Sequence, residues 1–267
     1  MAVSLTVLSS GSRGNATIVA SSATRILVDV GISARETFKR MRAVGEDPFR
    51  LSAILITHEH SDHTTGLVTL AKKLEVPVYM TAPTRDACSR QLADGDGVRW
   101  RPPKAETFVA GSTFTIGDFE ITPFTIPHDA VDPVAFTFRA EGIKVAIATD
   151  LGYMPPSVCH HIRGCDALMV ESNHDLEMLR VGPYPWSVKQ RVMSRVGHLS
   201  NEALAQFFSS DYDGNAAFVV LAHLSEQNNH PEIAREAAER ALGQRRTLLH
   251  NRVLLASQAA PLEPVRL

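Results

Sequence analysis

Six consecutive residues, His58-Glu59-His60-Ser61-Asp62-His63, concentrate the densest ligand chemistry of the chain. Imidazole nitrogens and carboxylate oxygens are the donors that borderline divalent ions such as zinc prefer. Three His and one Asp crowded together without an ion would desolvate or repel one another, so the run reads as half of a two-metal site. The apolar stretch 53–56 and Thr57 precede it, so it leaves a strand. In an extended segment His58 and His60 project to the same side and can grip one ion. Ser61 or Asp62 is expected to cap a helix over 64–74, turning Asp62 and His63 back over the strand end towards a second ion.

Around this run, short β-branched stretches alternate with amphipathic helical patterns. Strands are expected at 4–8, 16–20, 25–28, 53–56, 76–80, 113–116, 120–125, 134–139, 144–148, 167–170 and 216–221. Helices are expected at 34–44, 64–74, 83–92, 156–162, 187–196, 202–209 and 231–242. The alternation predicts a layered α/β architecture with sheets buried between helices. Asp94-Gly95-Asp96-Gly97 and Pro102-Pro103 are the best breaks, but neither is a long linker. With 44% hydrophobic content, 267 residues can bury a core as one generous domain or two small ones; the distribution of the further ligand candidates decides, and one domain over 1–267 is expected.

A formal net charge of -2 argues against tight, sequence-independent coating of DNA and leaves any nucleic-acid contact to a local patch. The one basic stretch interleaved with aromatics is Arg180, Lys189, Arg191 and Arg195 with Tyr184 and Trp186, which reads as a solvated helix face or as a track for a strand. Three scattered cysteines, Cys88, Cys159 and Cys165, form no Cys-x-x-Cys pair and fit a reducing compartment. No stretch approaches the roughly 18 apolar residues of a membrane span, and the N-terminus lacks the pattern of a signal peptide. A cytoplasmic protein with no membrane partner is expected; its oligomeric state is left open.

Further ligand candidates stand at the carboxyl ends of expected strands: Asp29 after 26–28, His128 after 124–127, Asp150 after 145–149 and His223 after 219–222. Open sheets gather ligands at those ends. Each residue alone also reads as a cap or a satisfied core-edge histidine, but together with the His-rich run they supply the donors of a two-metal site. The ordered set Asp29, His58-Glu59-His60-Ser61-Asp62-His63, His128, Asp150 and His223 resembles the five motifs of the metallo-β-lactamase superfamily. That resemblance implies a four-layer αββα sandwich. It also implies one ion on His58, His60 and His128, a second on Asp62, His63 and His223, Asp150 bridging, and Asp29 as a buttress. The flanks Ser9 to Asn15, Glu171-Ser172-Asn173-His174-Asp175, Gly197-His198-Leu199-Ser200-Asn201 and His223-Leu224-Ser225 are similar to the WalJ/YycJ-like branch, whose members are associated with exonuclease action on DNA.

Two divalent ions, zinc first with manganese or iron also accepted, would suit a phosphodiester. After Asp62, Asp150 and a bridging hydroxide are counted, a surplus of about +1 remains to attract an anionic oxygen, and the bridging hydroxide can serve as nucleophile. A proton for the leaving alkoxide must come from elsewhere. His198, in its Gly-His-Leu-Ser turn, and Glu171 resemble the histidine and glutamate that act together in the tRNA 3′-processing nucleases of the superfamily; read alone, they are a turn residue and a cap partner. A carboxylate beside an imidazole keeps it oriented and protonated, as a general acid requires. Ser10, Ser12 and Asn15, in a Ser/Gly-rich segment that could nest a phosphate or form a plain β-turn, and Asn173 at the cleft mouth are the candidate substrate contacts.

These features lead to a dinuclear metal-dependent phosphodiesterase, a 5′-to-3′ DNA exonuclease in its most specific form. The resemblance also narrows the field. Asp150 is unlike typical β-lactamases of this fold, His198 is unlike the thioesterases, and no long Gly/Pro-rich arm is present to hold tRNA. The competing readings are a small-molecule metallohydrolase acting on a phosphodiester, thioester or lactam, and a catalytically idle nucleic-acid-binding protein.

Overall fold

Side chains at successive strand positions point to opposite faces, and here that alternation sorts apolar residues into three cores. The computed structural model describes residues 3–93, 97, 99–102, 104–243 and 251–267. Its first sheet is built from β1 (Ser4–Ser9), β2 (Ala16–Ala20), β3 (Arg25–Val28), β4 (Ala53–Leu55), β5 (Val78–Thr81) and β6 (Ala105–Phe108). The second contains β7 (Phe114–Ile116), β8 (Phe119–Thr125), β9 (Val134–Ala140), β10 (Ile143–Ala148), β11 (Ala167–Glu171), β12 (Phe218–Ala222) and β13 (Arg252–Leu255), and β14 (Val265–Arg266) returns to edge the first. Neighbours run β14-β1-β2-β3-β4-β5-β6 and β13-β12-β11-β10-β9-β8-β7.

Helices α1 (Ala34–Ala43), α2 (Ser61–Thr64), α3 (Leu67–Leu74) and α4 (Ala82–Gln91) belong to the first half, and α5 (Pro156–Ile162), α6 (Leu176–Val181), α7 (Trp186–Val192), α8 (Asn201–Ser210) and α9 (Pro231–Gly243) to the second. Ile26 and Val28 of β3 meet Val145 and Ile147 of β10 and Ala167 and Met169 of β11 between the sheets. The alternate residues Leu27 and Ile54 turn outward onto Phe38 and Met41 of α1 and Leu67 and Leu70 of α3. On the other side, Ala146, Leu168 and Val219 turn outward onto Val158 of α5, Leu204 of α8 and Ala238 of α9. Helix, sheet, sheet, helix is the αββα order expected from the sequence.

The topology gives the site its edge. Strands β3 to β5 run parallel, as do β10 to β12, and β8 and β10 are both antiparallel to β9. The carboxyl ends of β8, β10, β11 and β12 therefore lie along one side of the second sheet.

Several elements differ from expectation for identifiable reasons. The single helix over 64–74 is split into α2 and α3, because Gly66 docks on the segment between β3 and α1: its amide donates to Val30 O at 2.8 Å, and a Cβ there would lie 2.2 Å from Ile32 O. The N-cap of α2 is His60, without a side-chain cap bond, so Ser61 and Asp62 occupy the first turn rather than the cap. The helix expected to reach 196 stops at Val192, whose carbonyl accepts the His198 N–H at 2.9 Å. Strand β6 has three exposed residues in four and β14 is two residues long, so neither carries a periodic signal. The expected breaks at Asp94-Gly95-Asp96 and Pro103 lie outside the described residues. No helix among those described is long and apolar enough to cross a membrane.

Candidate metal centre

Three of the strand-end residues sit in left-handed backbone: Asp29 at φ 60°, Asp150 at φ 64° and His223 at φ 55°. Non-glycine residues are uncommon there, each costing about 1–3 kcal/mol, and Asp and His tolerate it better than most. That cost recurs where β3, β10 and β12 end, at the edge where the polar side chains gather.

His58, His60 and His128 form one group and Asp62, His63, Asp150 and His223 a second, with donor atoms in each within 4.8 Å of one another. In the first, His60 Nδ1 lies 3.1 Å from His58 Nε2 and 3.3 Å from His128 Nε2. In the second, His223 Nε2 lies 3.4 Å from Asp62 Oδ2 and 3.4 Å from Asp150 Oδ1, and His63 Nε2 lies 3.4 Å from Asp150 Oδ2.

The far nitrogen of each ring decides what the near one offers. The carbonyl of Gly197, 3.2 Å from His128 Nδ1, can only accept, so the proton sits on Nδ1 and Nε2 presents a lone pair. Asp29 Oδ2 holds His63 Nδ1 at 2.8 Å with the same consequence. Asp29 is itself fixed, accepting the Thr57 amide at 2.9 Å and the Thr57 hydroxyl at 2.9 Å. Glu171 Oε1 lies 3.3 Å from His223 Nδ1. Lone pairs from separate strands thus aim into one space.

The electrostatics of the two groups differ. Burial pushes His58 well below the usual imidazole range, helped by neighbouring His63, and lowers His128. Burial also opposes charge on His63, but Asp29, Asp150 and Asp62 outweigh it and raise it well above that range. Burial opposes charge on His223 too, and is outweighed by Asp150, Asp62 and Glu171. Despite burial, His223 and His63 hold Asp150 well below the usual carboxylate range, and His63 and His223 do the same for Asp62.

This donor set fits a pair of divalent ions. Asp150 Oδ2 is buried and accepts no hydrogen bond, although His63 Nε2 is 3.4 Å away. Buried carboxylate oxygens are normally paired, and a cation between these residues would answer that orphan while receiving the converging lone pairs.

Beside the second group, His198 Nδ1 lies 2.7 Å from Glu171 Oε1, and its ring stacks on His223 at 5.1 Å between centroids. Glu171 Oε2 accepts the amides of Leu151 at 2.8 Å and Leu199 at 3.2 Å. Burial would raise Glu171, but His198 lowers it to about 2; burial would lower His198, but Glu171 raises it. The His198 side chain remains 21% exposed, leaving Nε2 as the ring atom available to a reactant.

The candidate substrate contacts occupy different surroundings. Ser12 is exposed, whereas Ser10 is buried and its hydroxyl accepts the His223 amide at 2.8 Å. Asn15 is buried with Nδ2 3.1 Å from His63 Nε2 and 3.3 Å from Asp62 Oδ2. Asn173 is buried, donating to His223 O at 2.8 Å. His174, Asn228 and Asn229 are buried as well, and Asn229 Nδ2 donates to Asn173 O at 3.0 Å. Sequence reasoning missed Thr57, whose hydroxyl stands 3.0 Å from His58 Nδ1 and 3.2 Å from His63 Nδ1; its signal was its place directly before the His-rich run.

Gly31 ties this loop to the Asn15 turn. Its amide donates to Asn15 O at 2.8 Å, and a Cβ there would lie 1.7 Å from Asp62 O and 2.4 Å from Asn15 N. Both obstacles are backbone, so Gly31→Ala is expected to lower the melting temperature by roughly 5–10 °C, as overpacking of a chain this size implies. Calorimetry of the variant checks it; an unchanged melt would show that the loop moves freely.

Residues 24–224 match the family model described as the beta-lactamase superfamily domain. The chain is 37% identical over 244 residues to the exodeoxyribonuclease YycJ of Bacillus anthracis, covering 91% of this chain and 90% of that protein. It is 36% identical over 230 residues to the exodeoxyribonuclease WalJ of Streptococcus pneumoniae serotype 2 (strain D39), covering 85% and 84%. Among solved structures, the metallo-beta-lactamase fold protein YhfI from Bacillus subtilis shares the fold with a TM-score of 0.68 at 18% identity, over 97% of this chain and 99% of that one. The strand-end ligand order, the layered sheets and these likenesses agree: the chain belongs to the metallo-β-lactamase superfamily, in its WalJ/YycJ-like branch.

Proposed function

We propose that this protein, a metal-dependent hydrolase of the nuclease and phosphodiesterase class, is a 5′-to-3′ DNA exonuclease with a dinuclear centre, residues 1–267 acting as one unit. The observation that carries the reading is the adjacency of two donor groups, His58, His60 and His128 beside Asp62, His63, Asp150 and His223, with the His58 and His63 ring centres 4.1 Å apart and the Glu171–His198 pair against the second group. Relatives that align over most of their length are named exodeoxyribonucleases. Three free cysteines, two of them buried, suit the reducing interior expected for an enzyme acting on cellular DNA.

In this reading His58, His60 and His128 would hold one ion and Asp62, His63 and His223 the other, with Asp150 as the carboxylate available to both. When bound, such ions supply Lewis acidity at phosphorus and a water of lowered pKa. The remaining chemistry belongs to the chain. Glu171 orients His198 and favours its protonated form, and His198 donates that proton from Nε2 to the departing 3′ oxygen. Asp29 and Thr57 fix the His63 ring, Ser10 and Asn173 fix the backbone of His223, and Asn15 and exposed Ser12 flank the path of the substrate.

Asp29→Ala is expected to weaken metal affinity by about 10–100-fold, the usual cost of losing a carboxylate behind a ligating His. Competition with a chromogenic chelator measures it, and an unaltered affinity would remove Asp29 from the assembly. The activity itself is tested on DNA labelled at one end. A 5′-to-3′ exonuclease frees a 5′ label at once as a short product, while a 3′ label passes through a descending ladder. Hydrolysis of nitrocefin or a thioester with DNA left intact would contradict the proposal.

A further inference from the structure

Helix α7 carries its side chains in the wrong sense for one that only packs. Lys189 is its buried residue, donating from Nζ to Arg180 O at 2.8 Å, while Trp186 is 63% exposed and Val188 37%. Beyond it Met193 and Val196 are also exposed. From 178 to 201 the chain holds Arg180, Lys189, Arg191 and Arg195 and no Asp or Glu, within a protein of net charge -2. In space Arg180 meets Glu177 and Arg191 meets Asp129, with the Arg191 side chain still 62% exposed, so the apolar strip lies beside guanidinium groups and suits an anionic partner with apolar faces.

The strip leads into the site. Val192 O accepts the His198 amide at 2.9 Å, Val196 O accepts the Asp129 amide at 3.0 Å, and Arg191 Nε donates to Asp129 Oδ2 at 2.5 Å, beside His128. The Arg195 guanidinium lies 4.2 Å from the centre of the Tyr153 ring, a contact that steadies it.

We propose that this strip docks single-stranded nucleic acid, with Trp186 stacking under an unpaired base and Arg191 and Arg195 facing phosphates. The proposal rests on the nuclease reading and adds the strand state of the substrate. A single strand fits because stacking on a surface indole needs a base face that a duplex keeps covered, and every base offers one. A second copy of the chain fits poorly, since a two-fold contact would bring arginines against arginines.

The chain has two tryptophans, and Trp100 is buried, so the exposed indole reports directly. Titrating metal-loaded protein with a cleavage-resistant phosphorothioate oligothymidylate should quench tryptophan fluorescence in the wild type and not in Trp186→Leu. In turnover assays Trp186→Ala should raise KM for single-stranded DNA about tenfold more than KM for bis(p-nitrophenyl) phosphate, with Trp186→Phe recovering most of the loss. Absent quenching in the wild type, or equal effects on both substrates, overturns the proposal. So does a Trp186→Ala protein that changes from dimer to monomer in sedimentation while cleaving DNA normally, which would assign the strip to a second copy. Should the wild type hydrolyse neither substrate, the nuclease reading fails, while the quenching still decides the strip.

Discussion

Asp150→Asn is expected to lower kcat/KM on end-labelled DNA by roughly a thousandfold or more and to reduce the metal bound per chain. Asp150 is the carboxylate common to the second donor group and to the group that includes Glu171 and His198. It is 2% exposed, with one oxygen 3.4 Å from His223 Nε2 and the other 3.4 Å from His63 Nε2. Asparagine keeps the shape, but it removes one negative charge and puts an NH2 where a lone pair is needed. Metal-assisted charge stabilisation is worth several kcal/mol, and each 1.36 kcal/mol is a factor of ten, which sets the expected scale. Steady-state cleavage and metal analysis on the same sample test it. A variant with full metal content and near-normal turnover would remove Asp150 from the centre.

His198→Ala should separate acid catalysis from metal binding. On DNA, whose leaving group is an alkoxide, kcat should fall by about 10²–10⁴-fold, the usual contribution of a placed general acid. On bis(p-nitrophenyl) phosphate the loss should be only a few-fold, because p-nitrophenolate departs without a proton, and metal content should stay as in the wild type. The split follows from geometry: Glu171 takes Nδ1 of His198 at 2.7 Å, so the ring presents Nε2 to a reactant. Equal losses on both substrates would make His198 a packing partner of His223 rather than an acid.

The parts of this site legible in the sequence are those whose signal is local. His58, His60, Asp62 and His63 announce themselves because a strand end and a turn crowd four donors into six residues. Asp29, His128, Asp150 and His223 are readable only jointly, each ending an apolar run, and the αββα layering follows from the alternation seen in β3, β10 and β11. What stays hidden depends on tertiary approach. The break between α2 and α3 reflects a Gly66 contact with Val30 and Ile32. Ser10 gains its His223 partner 213 positions away, and the left-handed backbone at Asp29, Asp150 and His223 has no periodic trace. Edge strands such as β6, mostly exposed, escape a reading that rests on burial periodicity.

The measurement closest to the central claim is an anomalous-difference map from crystals grown with zinc or manganese and collected at the edge of that metal. The account predicts two peaks per chain, one among His58, His60 and His128 and one among Asp62, His63 and His223, both within reach of Asp150. A map with a single peak, or with the density on surface residues away from this edge, would contradict it.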